Sequence, residues 1–136
     1  MAVVPEFKLS TKKSREVLPA QVDFQSAVFN MRRATVMMVA LIEGDLALFG
    51  RMMEDHLHHP FREALVPGMG KVFAAAKAAG AFSVALSGSG STILAFTEGD
   101  AEEIGLGMQK AFAQEGIVSR IMALKPDNVG AVLLKS

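Results

Sequence analysis

The chain has 136 residues, 51% of them hydrophobic, and its 14 basic and 14 acidic residues balance to a formal net charge of zero. This length and composition predict a single domain with its own core over residues 1–136, while the lack of a basic surface argues against a nucleic-acid partner. Cysteine is absent, so we expect a cytoplasmic protein without disulfides or cysteine-based zinc sites. The longest apolar run, residues 34–42, is too short to cross a bilayer, so we expect no membrane partner.

The first part of the chain predicts a short strand and a short helix. The strand ends near Pro5, and the helix, capped by Ser10 or Thr11, is limited to residues 10–18 by the proline that follows. Thr11 and Arg15 are four residues apart, so they share one face of this helix near its start, where free N–H groups favour an anion. This pattern fits either a solvated basic helix or a ligand site.

Two longer helices are predicted next. Asp23 can cap the first, which ends at Gly44, and Asp45 can cap the second, which closes before Pro60. Their methionines suggest either an adaptable groove or, more commonly at helical spacing, filling of the core, and we expect the core. The stripe of the first helix steps by three and four residues and consists of Phe24, Ala27, Val28, Met31, Ala34, Thr35, Met38, Leu41 and Ile42.

Three histidines and an arginine then lie close together in the sequence, at His56, His58, His59 and Arg62. A metal site is one interpretation, but no cysteine can complete it, and the side chains of His58 and His59 point apart in most conformations. Histidines near a helix C-terminus also make electrostatic sense without a metal, so we expect none. Arg62 is of more interest, because it can meet Arg15 if the helical hairpin folds back.

The second half of the chain predicts a helix, two strands, a helix and a last strand, at residues 69–79, 82–87, 92–97, 100–116 and 117–124. We expect the apolar tail, residues 129–134, to add an edge strand. Together with the N-terminal strand, this order predicts an α+β fold of the split βαββαβ (ferredoxin-like) type. Helices then cover one face of an antiparallel sheet, and the extra helices enlarge the first crossover.

The connection between the two central strands, residues 87–92, is named here the glycine loop, and it reads Ser87, Gly88, Ser89, Gly90, Ser91 and Thr92. Its glycines permit positive φ, and its N–H groups and hydroxyls can face an anion. It is not a Walker loop, because it lacks the Gly-Lys-Ser/Thr ending and continues as a strand. A glycine-rich hairpin turn and a phosphate-binding concavity both remain open.

Four stretches taken together resemble one known family. They are residues 5–15, 27–30, 57–62 and 85–92, which read PEFKLSTKKSR, AVFN, LHHPFR and ALSGSGST. The resemblance is to the C-terminal domain of homoserine kinase, in the superfamily of galactokinase, homoserine kinase, mevalonate kinase and phosphomevalonate kinase, and it covers nearly the whole chain. The glycine loop is similar to the superfamily motif Ser-Gly-x-Gly-Pro-Thr, with Ser91 where proline is usual.

The resemblance implies roles for several residues. The glycine loop would lie beside the nucleotide phosphates and help to shape the phosphoryl-transfer site. Thr11, Arg15 and Arg62 would face the amino-acid substrate, with the two arginines holding its carboxylate. The implied reaction transfers the γ-phosphoryl group of ATP to the hydroxyl of L-homoserine, with Mg²⁺, in threonine biosynthesis.

Family members also carry an N-terminal half with an ATP-wrapping loop of the Pro-x-x-x-Gly-Leu-Gly-Ser-Ser-Ala-Ala type, which nothing in this chain matches. We therefore expect half of an enzyme that is inactive without the nucleotide-binding half, with no catalytic residue and no ATP, Mg²⁺ or metal of its own. Loss of that half would bare apolar surface, so a homodimer is expected. The alternative is an amino-acid-binding or self-associating regulatory module without kinase activity.

Overall fold

The computed structural model describes residues 1–133 and contains one four-stranded sheet. The strands lie in the order β2-β3-β1-β4, and every neighbouring pair is antiparallel. This arrangement confirms the predicted ferredoxin-like layout. The prediction that both strands next to the glycine loop are central is wrong for β2, which lies at the edge of the sheet. The strands are β1 (Ala2–Pro5), β2 (Ser83–Leu86), β3 (Ile93–Phe96) and β4 (Ser119–Met122).

Helices α5 and α6 pack together over one face of the sheet, and α1 to α4 enlarge the first crossover, as predicted. Within residues 1–133, no helix is both long and apolar enough to cross a bilayer. The helices are α1 (Thr11–Glu16), α2 (Phe24–Glu43), α3 (Leu46–Met52), α4 (His59–Arg62), α5 (Met69–Ala78) and α6 (Ala101–Gln114).

The core lies between the sheet and helices α5 and α6. Alternation along β2 turns Val84 and Leu86 inward, and the small Ala76 lets α5 lie close to the strands. Each large aliphatic or aromatic side chain buried here stabilises the fold by roughly 1.5–3 kcal/mol. The side chains most completely buried in this core are Val3, Val66, Val72, Ile93, Ile104, Met108 and Phe112.

Local signals set most helix ends. The Asp23 carboxylate accepts the Ser26 N–H at 2.9 Å, and Gly44, at φ 75°, ends α2 in the left-handed conformation that glycine adopts easily. Asp100 caps α6 in the same way. Ser10 occupies the N-cap position of α1, but its side chain makes no capping hydrogen bond.

Three predicted elements differ from the structure. Helix α3 stops at Met52, well short of Pro60, and the last strand is confined to Ser119–Met122. Residues 129–133 form no strand, and Leu134 lies outside the described residues. The apolar side chains of residues 129–133 reach solvent, and Leu133 is 99% exposed, so this described part of the tail packs on no strand of the sheet.

The predicted core role of the α2 stripe is also wrong. Phe24, Met31, Met38 and Ile42 are 82%, 63%, 53% and 76% exposed, and only Ala40 is buried among the residues of this helix. The helix packs on α3 with its other side. Helical spacing reveals an apolar stripe, but it does not reveal whether the covering surface belongs to the same chain.

The contact between α3 and β2 can be tested at a glycine. A Cβ atom on Gly50 would lie 2.5 Å from the carbonyl oxygen of Phe82. We therefore expect Gly50→Ala to lower the free energy of unfolding by about 1–3 kcal/mol, as overpacking does. Urea denaturation measures this change.

Gly107→Ala is the matched control in another helix. A Cβ atom there meets nothing closer than 3.8 Å, so alanine should raise the free energy of unfolding by about 0.5–1 kcal/mol through its helix propensity. A Gly50→Ala protein as stable as the parent would contradict the close approach of α3 to β2.

Candidate functional site

The glycine loop closes through its own backbone. The Ser87 N–H donates to the Thr92 carbonyl at 2.8 Å, and the Gly90 N–H donates to the Ser87 carbonyl at 3.0 Å. Gly88 and Gly90 have φ values of 56° and 88°, and the peptide bond between Gly90 and Ser91 is cis. Glycine takes these positive φ values without the steric cost that other residues meet.

One side of the glycine loop is open. Gly88 is exposed, and a Cβ atom there would meet no atom within 4 Å. Within the part of the chain that the structure describes, the N–H groups of Gly88 and Ser89 donate to no protein acceptor. Neighbouring free amides in a turn of this kind are what an anion site requires.

The other side of the glycine loop is braced by α1 and α4. The Arg62 side chain is buried, and its guanidinium donates from Nη1 to the Gly88 carbonyl at 2.8 Å and from Nε to the Ser14 carbonyl at 3.3 Å. Ser14 is fully buried, and its hydroxyl donates to the Ser89 carbonyl at 3.0 Å. Helix α1, helix α4 and the loop are therefore hydrogen bonded to one another.

The far end of the loop is fixed by Ser91, which stands where the family motif usually has proline. Its buried hydroxyl donates to the Phe7 carbonyl at 3.1 Å. A Cβ atom on Gly90 would lie within 3.3 Å of the side chains of Leu86 and Leu9, so both space and φ favour glycine there. A side-chain hydrogen bond thus restrains this end of the loop in place of the proline ring.

The structure brings Arg62 to the glycine loop and places α1 against the loop through Ser14. Thr11 and Arg15 flank Ser14 on α1, and both are exposed. Among the described residues, no acidic side chain lies within ion-pair distance of Arg15. Arg62 donates to two backbone carbonyls of the protein, and the substrate-facing roles of Thr11, Arg15 and Arg62 stay predictions.

Asp55 anchors the segment that leads into α4. Its carboxylate accepts the Asn30 side-chain amide at 2.8 Å and the N–H groups of Leu57, His58 and His59 at 2.8, 3.1 and 2.9 Å. Burial raises the pKa of Asp55, but these hydrogen bonds and the nearby His59 outweigh it and bring the pKa to about 2. Asp55 is therefore ionised at neutral pH and ties α4 to α2.

The histidines serve in packing and hydrogen bonding. The half-buried His59 accepts the Leu86 N–H at its Nε2 atom, 3.2 Å away, and its ring meets Phe73 edge-on at 5.6 Å. His56 stacks on Phe29 with ring centroids 3.7 Å apart. Across residues 1–133, no three His, Cys, Asp or Glu side chains are grouped in a way that would hold a metal ion.

A separate cleft of about 840 Å³ lies between α3, α4 and α5. Its lining includes Arg33, Glu54, His59, Phe73 and Lys77. Neither the glycine loop nor the predicted substrate residues line it. The candidate site is therefore separate from this cleft.

Comparison with known proteins identifies the family. Residues 37–114 match the family described as "GHMP kinases C terminal". The chain belongs to this family. The homoserine kinase of Moorella thermoacetica is 50% identical over 134 residues, which are 98% of this chain and 45% of the relative. The homoserine kinase of Pyrococcus furiosus is 41% identical over 125 residues, 92% of this chain and 42% of the relative.

A solved structure gives the same result for the fold. The crystal structure of homoserine kinase from Cytophaga hutchinsonii superposes with a TM-score of 0.84 at 35% identity, over 88% of this chain and 38% of that protein. This GHMP kinase C-terminal chain thus spans less than half the length of these relatives. The family resemblance and the fold predicted from the order of strands and helices are confirmed.

Sequence reasoning missed Ser14 and His59 as parts of the candidate site. Each acts through a hydrogen bond to a backbone atom far along the chain, and such bonds leave no spacing pattern. The one available signal for Ser14 was its place between Thr11 and Arg15. For His59, nothing in the sequence indicated a contact with the end of β2.

The hydrogen bonds that Arg62 and Ser14 make to the glycine loop and to each other are called here the brace. The brace predicts that substitution of Arg62 and substitution of Arg15 have different effects on stability. Arg62→Ala leaves the carbonyls of Gly88 and Ser14 without their charged donor, so we expect the free energy of unfolding to fall by about 2–3 kcal/mol. Arg15→Ala is the matched control and should change it by less than about 0.5 kcal/mol, because the side chain is exposed. Urea denaturation compares the two, and equal losses would rule out the brace.

Proposed function

We propose that this chain is the C-terminal domain of an ATP-dependent homoserine kinase of threonine biosynthesis. The observation that carries the proposal is the braced glycine loop, which holds the free N–H groups of Gly88 and Ser89 beside the helix of Arg15. Relatives that match nearly the whole chain are named homoserine kinases, which supports the same assignment. An enzyme that consumes ATP to phosphorylate a free amino acid would work in the cytoplasm.

In the proposed reaction, the side-chain hydroxyl oxygen of homoserine attacks the γ-phosphorus of ATP. The bond from that phosphorus to the β,γ-bridging oxygen breaks, ADP leaves, and the hydroxyl proton is released. Such transfers depend on positioning and charge stabilisation. The free amides of Gly88 and Ser89 face the negative phosphate oxygens, held by a frame that does not need to rearrange when the ligand arrives.

The amino-acid carboxylate is proposed to bind Arg15, whose guanidinium is exposed and whose planar donors suit a carboxylate. Thr11, four residues earlier on the same helical face, offers a hydroxyl to the same substrate. Arg62 adds positive charge behind the loop while two of its donor atoms hold backbone carbonyls. We propose that a nucleotide-binding half, joined or separate, supplies the ATP loop and the Mg²⁺ ligands.

A second function rests on the same exposed arginine. A regulatory module could hold a free amino acid at Arg15 and Thr11 without phosphorylating it. Titration calorimetry of this chain with homoserine and with threonine separates the two functions. Tight binding by the chain alone favours the module, and no binding favours a kinase site that needs its other half.

A chimaera tests the kinase proposal. The N-terminal part of the Moorella thermoacetica homoserine kinase, joined to this chain, should release ADP when both ATP and homoserine are present, and this chain alone should not. In the chimaera, Arg15→Ala should raise KM for homoserine on the order of 30-fold, as for the loss of about 2 kcal/mol of charge-assisted binding. Steady-state kinetics with each substrate varied measures both constants.

Lys13→Ala is the control, because Lys13 is another exposed cation on α1 and should leave KM for homoserine unchanged. Gly90→Val should instead lower kcat, since it distorts the glycine loop. Equal effects of Arg15→Ala and Lys13→Ala would refute the carboxylate role, and an isolated chain that phosphorylates homoserine would refute the need for another half.

We also propose that two copies associate through α2. Its exposed stripe follows an alternating four-and-three spacing, the repeat along which helices pack in pairs, and a helix of 20 residues is about 30 Å long. An apolar stripe of this length marks an interaction surface, and a two-fold pair would bury it against itself. The stripe residues that follow this spacing are Phe24, Val28, Met31, Thr35, Met38 and Ile42, of which Val28 is half-buried and the others are exposed.

Sedimentation velocity tests the dimer. We expect the parent chain to sediment as a dimer and Met38→Glu as a monomer, because a buried unpaired carboxylate is costly. Leu106→Glu is the control, since Leu106 is similarly exposed, at 52%, but lies on α6. A parent chain that remains monomeric at high concentration would contradict the proposal, as would a Met38→Glu protein that remains dimeric.

A further inference from the structure

Strand β2 lies at the edge of the sheet, and a histidine accepts a hydrogen bond from that edge where the glycine loop begins. Backbone N–H groups along an antiparallel strand point alternately toward and away from its partner. The Ser87 N–H donates across to Thr92, so the preceding N–H, that of Leu86, points to the open edge. The Nε2 atom of His59 accepts it there at 3.2 Å.

Two side chains of helix α4 form hydrogen bonds with the backbone where β2 ends and the glycine loop begins. His59 holds the N–H of Leu86, the last residue of β2, and Arg62 holds the carbonyl of Gly88, two residues later. Asp55 fixes the start of this helix through the N–H of His59. Any displacement of the His59 ring therefore acts on the strand end from which the glycine loop departs.

We propose that neutral His59 is a positioning residue for the glycine loop, and that its protonation releases the end of β2. The consequence for phosphoryl transfer rests on the proposed kinase function, whereas the link to the loop does not. The Nε2 atom accepts a hydrogen bond only in the neutral ring that carries its proton on Nδ1. In the protonated ring both nitrogens are donors, so Nε2–H would face the Leu86 N–H and the bond would be lost.

The surroundings favour the neutral ring. The pKa of His59 is lowered, chiefly by burial and further by the charges of His58 and Arg62. These effects outweigh the Asp55 carboxylate, which raises the pKa. The folded chain therefore binds this proton more weakly than the unfolded chain, and its stability falls as the pH drops below about 6.5, the unperturbed histidine value. The other charged groups that line the cleft shared with His59 are Arg33, Arg51, Glu54, Glu63 and Lys77.

NMR of the isotope-labelled chain tests the link between about pH 8 and about pH 5, the range in which histidine titrates. We expect the Leu86 amide resonance to shift with the same midpoint as the His59 ring, and the Gly88 amide to follow. After correction for the intrinsic pH dependence, hydrogen exchange at Leu86 should become about tenfold faster in acid, as for the loss of one backbone hydrogen bond.

His59→Gln is the decisive variant, because glutamine offers a neutral acceptor that does not titrate. It should keep the Leu86 amide protected and abolish the pH response. His58→Gln is the matched control at an exposed neighbour, and it should keep the response with a midpoint moved slightly upward. His59→Leu should leave Leu86 unprotected at every pH, and if that variant does not fold, the comparison with His59→Gln decides.

The proposal is overturned if the Leu86 amide resonance does not shift with pH, or if it shifts equally in His59→Gln. In the active chimaera, His59→Gln should shift the acid limb of kcat against pH to lower pH, and an unchanged limb overturns the catalytic consequence. An inactive chimaera contradicts the kinase assignment while NMR still decides the link to the loop. If the chimaera is active but the Leu86 amide resonance does not respond to pH, only the link between His59 and the glycine loop is overturned.

Discussion

The buried guanidinium of Arg62 joins three segments that are far apart in the chain. It donates to a carbonyl on α1 and to a carbonyl in the glycine loop, while its own backbone belongs to α4. A buried cation is costly unless its donors are satisfied, so this geometry requires the two carbonyls to stay in place. The position of α1, with the exposed Arg15, and the open shape of the loop both depend on this contact.

The carbonyl and N–H groups of the glycine loop have different partners. Arg62 and Ser14 donate to the carbonyl oxygens of Gly88 and Ser89, whereas the N–H groups of the same two residues donate to no acceptor within residues 1–133. A loop held from behind can present its amides without reorganising when an anion arrives, which is how electrostatic preorganisation lowers a barrier. Serine in place of the usual proline keeps this arrangement through its hydrogen bond to Phe7.

The molecule also presents two open surfaces. The candidate site is open rather than enclosed, and the α2 stripe exposes side chains as large as Phe24. Both facts agree with a chain that spans less than half the length of its homoserine kinase relatives. The apolar stripe was visible in the sequence, but its interpretation as core was wrong, because periodicity measures only which residues share a face.

The sequence by itself determined the order of the four strands and of the longer helices, the caps at Asp23 and Asp45, and the glycine loop, because these depend on neighbours within a few residues. It also carried the family resemblance, through motifs spread along the chain. Only the tertiary structure decided that Arg62 is buried against backbone carbonyls, that Ser14 and His59 belong to the site, and that α2 is bare. These outcomes depend on contacts between residues up to 75 positions apart, as between Ser14 and Ser89, and no local pattern records such distances.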